Sequence, residues 1–319
     1  MRAAVIGIGS NSVRMLVAEA ADGEIRRISR DRAGTRLFAG LDEAGNLSRE
    51  AMASSCAAVK RMADSARSQG AEKVHLFATS ATRDAANNAD FAALLKAETG
   101  LTLEICSGDE EAALSFFGAT DGGDSGVIDI GGGTTDIAVL SLNGIATSSS
   151  IKVAGDTFDE AVAAYMRKRY GMLIGLNTAE EVKITIGCVY ERPQAVSMLV
   201  KGRDAKTGLP NEVTVSSMEM LEAFKRPARQ IVDEVLDVLE HSSPELVADI
   251  AQNGIVLTGG GSLLYGFDKL IAERTQIACS IADDADSCVA NGCGKSLQWI
   301  SSMQEGTINL ARRKLMKEG

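Results

Sequence analysis

The segment Val127-Ile128-Asp129-Ile130-Gly131-Gly132-Gly133-Thr134-Thr135-Asp136-Ile137-Ala138-Val139 concentrates residue types that can do chemistry. An apolar strand carrying one carboxylate runs into three glycines and two threonines, and a second apolar strand follows. Glycines leave the N–H groups of a tight turn unshielded, which suits the oxygens of a phosphate. Asp129, at the end of its strand beside that turn, is placed to hold a hydrated divalent metal. The turn joins strand to strand, unlike a Walker loop, which carries Lys-Ser/Thr and opens a helix. A glycine hairpin with no ligand is the plain alternative. Against it, three consecutive glycines cost conformational entropy and add no packing.

The motif occurs twice. Ala4-Val5-Ile6-Gly7-Ile8-Gly9-Ser10-Asn11-Ser12-Val13-Arg14-Met15-Leu16-Val17 aligns with Gly126–Val139, about 120 residues further on. In this alignment Ser10, Asn11 and Ser12 stand opposite Gly132, Gly133 and Thr134, and Gly7 stands opposite Asp129. A repeat of this period means duplicated domains, not a solenoid. Two such hairpins across a cleft would grip one polyphosphate from both sides. A third glycine-rich turn, Thr258-Gly259-Gly260-Gly261-Ser262-Leu263-Leu264, follows the strand Gly254–Leu257 and is expected to open a helix. Its bare backbone would suit an adenine or ribose-phosphate edge; a strand-to-helix turn that needs φ > 0 is the alternative.

The elements that must position these turns alternate strand and helix. Strands are expected at Ala3–Ile8, Glu24–Ser29, Val74–Thr79, Leu103–Cys106 and Ile145–Ile151. Ser48 caps a helix to about Ser68, with Met52, Cys56, Val59 and Met62 at helical spacing. Further helices are read at Asp84–Thr99, Gly108–Gly118, Gly155–Tyr170, Thr178–Ile186, Ser217–Glu240, Pro244–Gln252 and 287–300. Thr178 and Glu181 have capping-box spacing. Val196–Arg203 and Glu212–Val215 form a strand pair around Thr207-Gly208-Leu209-Pro210. Acidic residues in a helix's first turn are ordinary capping, and that is the simplest account of Glu110 and Glu111.

The chain has 319 residues, 45% hydrophobic and 24% charged, enough for two globular domains. Its net charge of −10 argues against a nucleic-acid partner. It lacks an apolar run long enough for a transmembrane helix. Met1-Arg2 leads directly into the first strand, so no signal peptide is expected. Cys56, Cys106, Cys188, Cys279, Cys288 and Cys293 are scattered without a CxxC pair, which points to free thiols, a reducing compartment and a cytoplasmic location. His75 and His241 are the only histidines, which leaves little scope for histidine catalysis.

Two phosphate hairpins, a GGG turn in the second half and duplicated halves resemble the actin-like ATPase superfamily. The resemblance is split. From Asp129 to about Leu297 the chain resembles the MreB family of bacterial actin homologues. The matching residues are Asp129–Ser141, Val153-Ala154-Gly155-Asp156-Thr157-Phe158-Asp159-Glu160, Thr178-Ala179-Glu180-Glu181-Val182-Lys183-Ile184, Gly202-Arg203-Asp204 with Thr207–Pro210, and Gly254–Leu264. From Met1 to about Ala119 it resembles the exopolyphosphatase / guanosine pentaphosphate phosphatase (Ppx/GppA) family. There the carriers are Ile8-Gly9-Ser10-Asn11-Ser12-Val13-Arg14, Ala78-Thr79-Ser80-Ala81-Thr82-Arg83-Asp84-Ala85 and Ser107-Gly108-Asp109-Glu110-Glu111-Ala112. The two parts would join at Asp121-Gly122-Gly123-Asp124-Ser125.

The resemblance implies an α/β fold of duplicated ribonuclease-H-like domains around a nucleotide cleft. The expected domains are 1–122 and 123–300, with the last helix returning to the first, and a basic tail at 301–319. Ser10, Asn11, Ser12, Gly131, Gly132, Gly133 and Thr134 would hold phosphate, and Asp129 would hold Mg²⁺ through water. Asp156 lies in a segment that approaches the phosphates. Glu180, Glu181 and Lys183 sit where the family contacts ribose and adenine, and Gly259, Gly260, Gly261, Ser262 and Leu263 would flank the nucleotide. Glu111 matches the phosphatase family's water-activating glutamate, and Arg83 an arginine that contacts the polyanion; a surface ion pair is the plain alternative for Arg83. Both families usually carry aspartate where this chain has Gly7, so slow hydrolysis is expected.

The expected function is therefore ATP binding with slow hydrolysis in an MreB-like, cell-shape cytoskeletal protein. Self-association into filaments and peripheral membrane contact through the basic tail are its expected partnerships. One alternative is a phosphatase acting on polyphosphate or guanosine pentaphosphate. Another is a nucleotide-dependent scaffold or sensor with little turnover.

Overall fold

The computed structural model describes residues 2–21, 24–42, 44–119, 125–141, 144–289 and 291–292. They divide into two compact units. The first holds the described residues of Met1–Gly123, Leu140–Ala146 and Asp286–Gly319, and the second those of Asp124–Val139 and Thr147–Ala285. The basic tail, Cys293 and the end of the last expected helix lie outside the described residues.

In the first unit, β1 (Arg2–Ile8), β2 (Ser12–Ala21) and β3 (Glu24–Gly34) precede α1 (Arg49–Ser68) and β4 (Lys73–Ala78). Then come α2 (Ser80–Arg83), α3 (Asn88–Thr99), β5 (Leu103–Ile105) and α4 (Gly108–Ala119). The strands make one sheet in the order β3-β2-β1-β4-β5. β1 is antiparallel to β2 and parallel to β4. Ala3–Ile8 is buried throughout, because both faces of β1 are covered, and such a strand reads as a continuous apolar run. One face packs Ala4, Ile6 and Ile8 against Met52, Cys56, Val59 and Met62 of α1. Ser48 accepts from the amide of Ala51 at 3.2 Å and caps that helix. The opposite face packs Ala3, Val5 and Phe77 with Cys106 and Leu114.

The second unit starts with β6 (Ser125–Ile130), β7 (Thr135–Ser141) and β8 (Gly144–Ile151), of which 140–141 and 144–146 are grouped with the first unit, and continues into α5 (Gly155–Tyr170). β9 (Met172–Leu173), α6 (Leu176–Ile186), β10 (Ser197–Asp204), β11 (Pro210–Ser216) and α7 (Ser217–Glu240) follow. The unit continues with α8 (Pro244–Asn253), β12 (Ile255–Thr258), α9 (Phe267–Thr275) and β13 (Cys279–Ile281). Its main sheet has the order β8-β7-β6-β12-β13, and β11-β10-β9 form a smaller one. Element for element, the main sheet repeats the strand order of the first unit, so the repeat in the sequence is a repeat of topology. Its core gathers around Phe158 of α5, whose ring meets those of Phe224 and Phe267 edge-on at 5.0 and 5.8 Å.

Three local expectations change. The helix expected over Asp84–Thr99 starts only at Asn88, as α3, and α2 ends before the expected range. The side chain of Asn87, which precedes α3, accepts from Leu47 N at 2.8 Å and donates to Leu47 O at 3.0 Å. α6 starts at Leu176 behind an extended Gly175, so Thr178 lies inside the first turn and caps nothing. The third glycine turn makes a single 3-10 turn, Gly260–Leu263, and α9 begins only at Phe267. A side chain on Gly259 or Gly261 would strike Asp129 or Ile130, so this backbone is pressed against the end of β6.

Candidate functional site

The two hairpin turns are built alike. Gly9 N donates to Ser12 O at 3.0 Å in the first unit, and Gly131 N donates to Thr134 O at 2.9 Å in the second. Each bond closes the turn at the same position of the repeat.

In the second unit the turn is backed by a helix. Gly155 N donates to Gly131 O at 3.1 Å and Asp156 N to Gly132 O at 2.8 Å. The start of α5 thus holds two carbonyls of the glycine turn. Gly155 permits this approach, since a Cβ there would lie 3.3 Å from Gly131 O. With those carbonyls committed, the half-buried amides of Gly132 and Gly133 donate to no acceptor among the described residues. Adjacent amides left in this way can donate to an anion. Thr134 is buried, and its hydroxyl donates to Asp136 at 2.9 Å; Thr135 donates to Val153 O at 2.7 Å. Both threonines fix the strand that leaves the turn.

Asp129 is 5% exposed at the end of β6. Its sheet neighbour is Thr258 of β12, and the next residue, Gly259, adopts φ +80°. A Cβ on Gly259 would collide with the Asp129 carboxylate and with Ile130 O, so glycine is required for both torsion and space. Ser262 is buried and its hydroxyl donates to Gly259 O at 2.7 Å, which closes the 3-10 turn, whereas Leu263 is 59% exposed. Among the described residues, no three His, Cys, Asp or Glu side chains cluster as metal ligands. Magnesium at a nucleotide needs only one or two carboxylates, because waters and phosphate oxygens complete its shell. Asp129 meets that requirement.

α6 places Lys183 against α5. Lys183 Nζ donates to Gly155 O at 3.0 Å and to Asp159 at 2.9 Å. Burial raises the Asp159 carboxyl from its ordinary 3.8 to about 6, and Lys183 opposes that rise. The pair anchors the helix start that grips the glycine turn. Glu180 is half-buried and Glu181 exposed on the same helix.

In the first unit, Ser10 and Ser12 are buried, and the hydroxyls of Ser10 and Ser80 lie 3.2 Å apart. Asn11 O accepts from the amides of Thr35 and Arg36, both at 3.0 Å. The two neighbouring acids of α4 differ. Glu110 accepts from Ser107 N at 2.9 Å while Ser107 Oγ accepts from Glu110 N, a reciprocal cap. Glu111 is buried and meets Arg83 Nη1 at 3.4 Å, and Arg83 also donates to Cys106 O at 2.9 Å. Burial foremost, then Glu104, Glu110 and Glu111, push the Cys106 thiol far up, so no thiolate competes beside Arg83.

The family model described as MreB/Mbl protein matches residues 119–305, more than half of the chain. The chain belongs to the MreB/Mbl family. A second model, the Ppx/GppA phosphatase family, matches residues 16–164. This MreB/Mbl member is 48% identical over 174 residues to the cell shape-determining protein MreB of Escherichia coli, covering 54% of this chain and 50% of that one. It is also 48% identical over 182 residues to the cell shape-determining protein Mbl of Bacillus cereus, covering 57% and 55%. The chain thus spans about half the length of the curated relatives it matches. Among solved structures, MreB5 of Spiroplasma citri bound to ADP superposes with a TM-score of 0.72 at 27% identity, covering 95% of this chain and 99% of that one. The fold is that of actin-like ATPases.

Three contributors escaped the reading of residue types. Asp159 was legible in principle, since it follows Gly155 by one helical turn. Ser80 and Thr258 enter only through strand pairing and packing, for which a single chain carries no local signal.

Proposed function

We propose that this protein binds ATP–Mg²⁺, hydrolyses it slowly and serves an MreB-like, cell-shape cytoskeletal role in the cytoplasm. The half-buried amides of Gly132 and Gly133, without acceptors among the described residues and beside the buried Asp129, carry this reading. Those amides take phosphate oxygens. The hydroxyls and backbone of Ser10, Asn11 and Ser12 are the corresponding group of the first hairpin. Asp129 holds Mg²⁺ through water, and the metal, when bound, neutralises charge that develops on the phosphoryl oxygens. Asp156, at the start of α5, stands near the phosphate turn. Lys183 acts through Asp159 and Gly155, holding α5 against the glycine turn. Glu180, Glu181 and Gly259–Leu263 receive the adenosine, a role supported by the resemblance of these segments to MreB. Self-association into filaments belongs to the same reading.

The test is ligand preference of the purified chain. ATP–Mg²⁺ is expected to raise the melting temperature more than GTP or polyphosphate. A shift with polyphosphate and none with ATP would overturn the assignment. Sedimentation with and without ATP–Mg²⁺ tests the cytoskeletal part separately, and a chain that never pellets removes that part only.

One observation favours a second reading. Glu111 is buried beside Arg83 in the first unit, an arrangement able to orient a water toward a phosphoryl group held by the arginine. Phosphate release from polyphosphate or guanosine pentaphosphate, lost in Glu111→Gln, would establish that activity.

A further inference from the structure

Asp129 and Thr258 are register partners on the parallel strands β6 and β12, so their side chains project from the same face of the sheet. Ile128 and Leu257, one residue back on each strand, belong to the apolar core on the other face. Asp129 and Thr258 are both buried, at 5% and 0% exposure. The carboxylate leans over β12. Its Oδ1 lies 2.4 Å from where a Cβ would stand on Gly259, the residue after Thr258.

The backbone that carries Thr258 is fixed. Gly259 N donates to Ala285 O at 2.7 Å, and Gly259 O accepts from the Ser262 hydroxyl at 2.7 Å. The Thr258 side chain is a different case. Its hydroxyl is shut off from solvent and has no hydrogen-bond partner among the described residues. A hydroxyl buried in this way has given up its bonds to water and made none in exchange, a cost that native interiors rarely carry without a use. The side chain across the strand pairing is a carboxylate, which accepts hydrogen bonds on both oxygens when ionised.

We propose that Thr258 is a positioning residue for Asp129. In the complex with ATP–Mg²⁺ its hydroxyl donates to one oxygen of that carboxylate and fixes the other toward the water of the metal. This rests on the ATP–Mg²⁺ reading and involves the second unit alone. Carboxylates at metal sites are themselves held by hydrogen bonds, and a bond to an ionised acceptor is about twice as strong as one between neutral groups. The hydroxyl is thus a burden on the free chain and an asset to the loaded one.

The experiment compares the full chain with Thr258→Val, which exchanges the hydroxyl for a methyl of similar shape, and Thr258→Ser, which keeps it. Without nucleotide, Thr258→Val is expected to melt about 1–4 °C above the native chain, because an unsatisfied group has been removed. With ATP, the Mg²⁺ concentration that gives half of the metal-dependent melting shift is expected to rise about tenfold or more in Thr258→Val and to stay near the native value in Thr258→Ser. The shift produced by ATP in EDTA should be alike in all three chains. A Thr258→Val chain that melts lower, or fails to fold, would overturn the unsatisfied hydroxyl, since the group would then be bonded in the free chain. An unchanged Mg²⁺ requirement in Thr258→Val, or an equal rise in Thr258→Ser, would overturn the role at Asp129. A native chain that ignores ATP indicts the nucleotide reading instead, while the nucleotide-free melting of Thr258→Val stands apart from it.

Discussion

The hairpins at Gly9 and Gly131 share one closing hydrogen bond and one strand order, and differ in what surrounds them. The second has glycines where the first has Ser10 and Asn11, and a carboxylate beside a threonine where the first has a glycine beside a phenyl ring. Backbone geometry has been kept in both copies and charge in one. A phosphate turn depends on main-chain amides, which any sequence able to adopt the turn supplies. A metal-side carboxylate depends on one side chain and on the space its strand neighbour leaves. The first property survives divergence more readily than the second.

Six substitutions would break or sharpen this contrast. Asp129→Asn should have the largest effect, reducing ATP hydrolysis about 100-fold and removing the Mg²⁺ dependence of the ATP-induced melting shift. Retention of that dependence would mean that the second hairpin is no more metal-organising than the first. Lys183→Met leaves Asp159 buried behind the glycine turn without its cation, at a cost of about 3 kcal/mol near neutral pH. Asp159 is held above its ordinary 3.8, at about 6, so the folded state takes up a proton between those values. The stability this carboxyl contributes therefore falls as the pH rises from about 4 to 6. Lys183→Met should steepen that fall and do least damage at the acid end, as urea unfolding at several pH values would reveal.

The hydroxyls separate next. Thr134→Val removes a bond to a carboxylate and should cost about 2 kcal/mol, against about 1 for Ser10→Ala, whose partner is a neutral hydroxyl. Equal losses in thermal unfolding would contradict the difference in electrostatics. The glycines come last. A Cβ at position 131 meets Thr134 O at 3.1 Å, and one at position 9 meets Ser12 O at 3.4 Å. Gly131→Ala should therefore destabilise by roughly 1 kcal/mol and Gly9→Ala by less. The reverse order would show that the first turn is the tighter.

Much of the fold was legible in the residues. Apolar runs marked β1 and β6, helical spacing marked α1, and Ser48 marked its start. The alignment of Gly7 with Asp129 already announced an asymmetry between the copies. Misreadings arose where a distant contact overrode a local pattern. The helix read from Asp84 starts only at Asn88, after Asn87 has bonded to Leu47, forty residues away in the chain. The third glycine turn stops after one 3-10 turn because it lies against Ile130 and Asp129. Glu110 and Glu111 looked alike as first-turn acids; only the approach of Arg83 from α2 separates the cap from the buried ion pair.

By itself the sequence determined the two glycine-bearing turns, their duplication and the presence of a carboxylate in only one of them, because glycine runs, alternation and missing charge are local properties of a chain. Tertiary structure alone decided which side chains stand beside those turns. Lys183 reaches Asp159, Ser80 meets Ser10, and Phe77 fills the space at Gly7. Strand pairing brings residues 7 and 77 together, and close packing lets only one side chain occupy the volume between them.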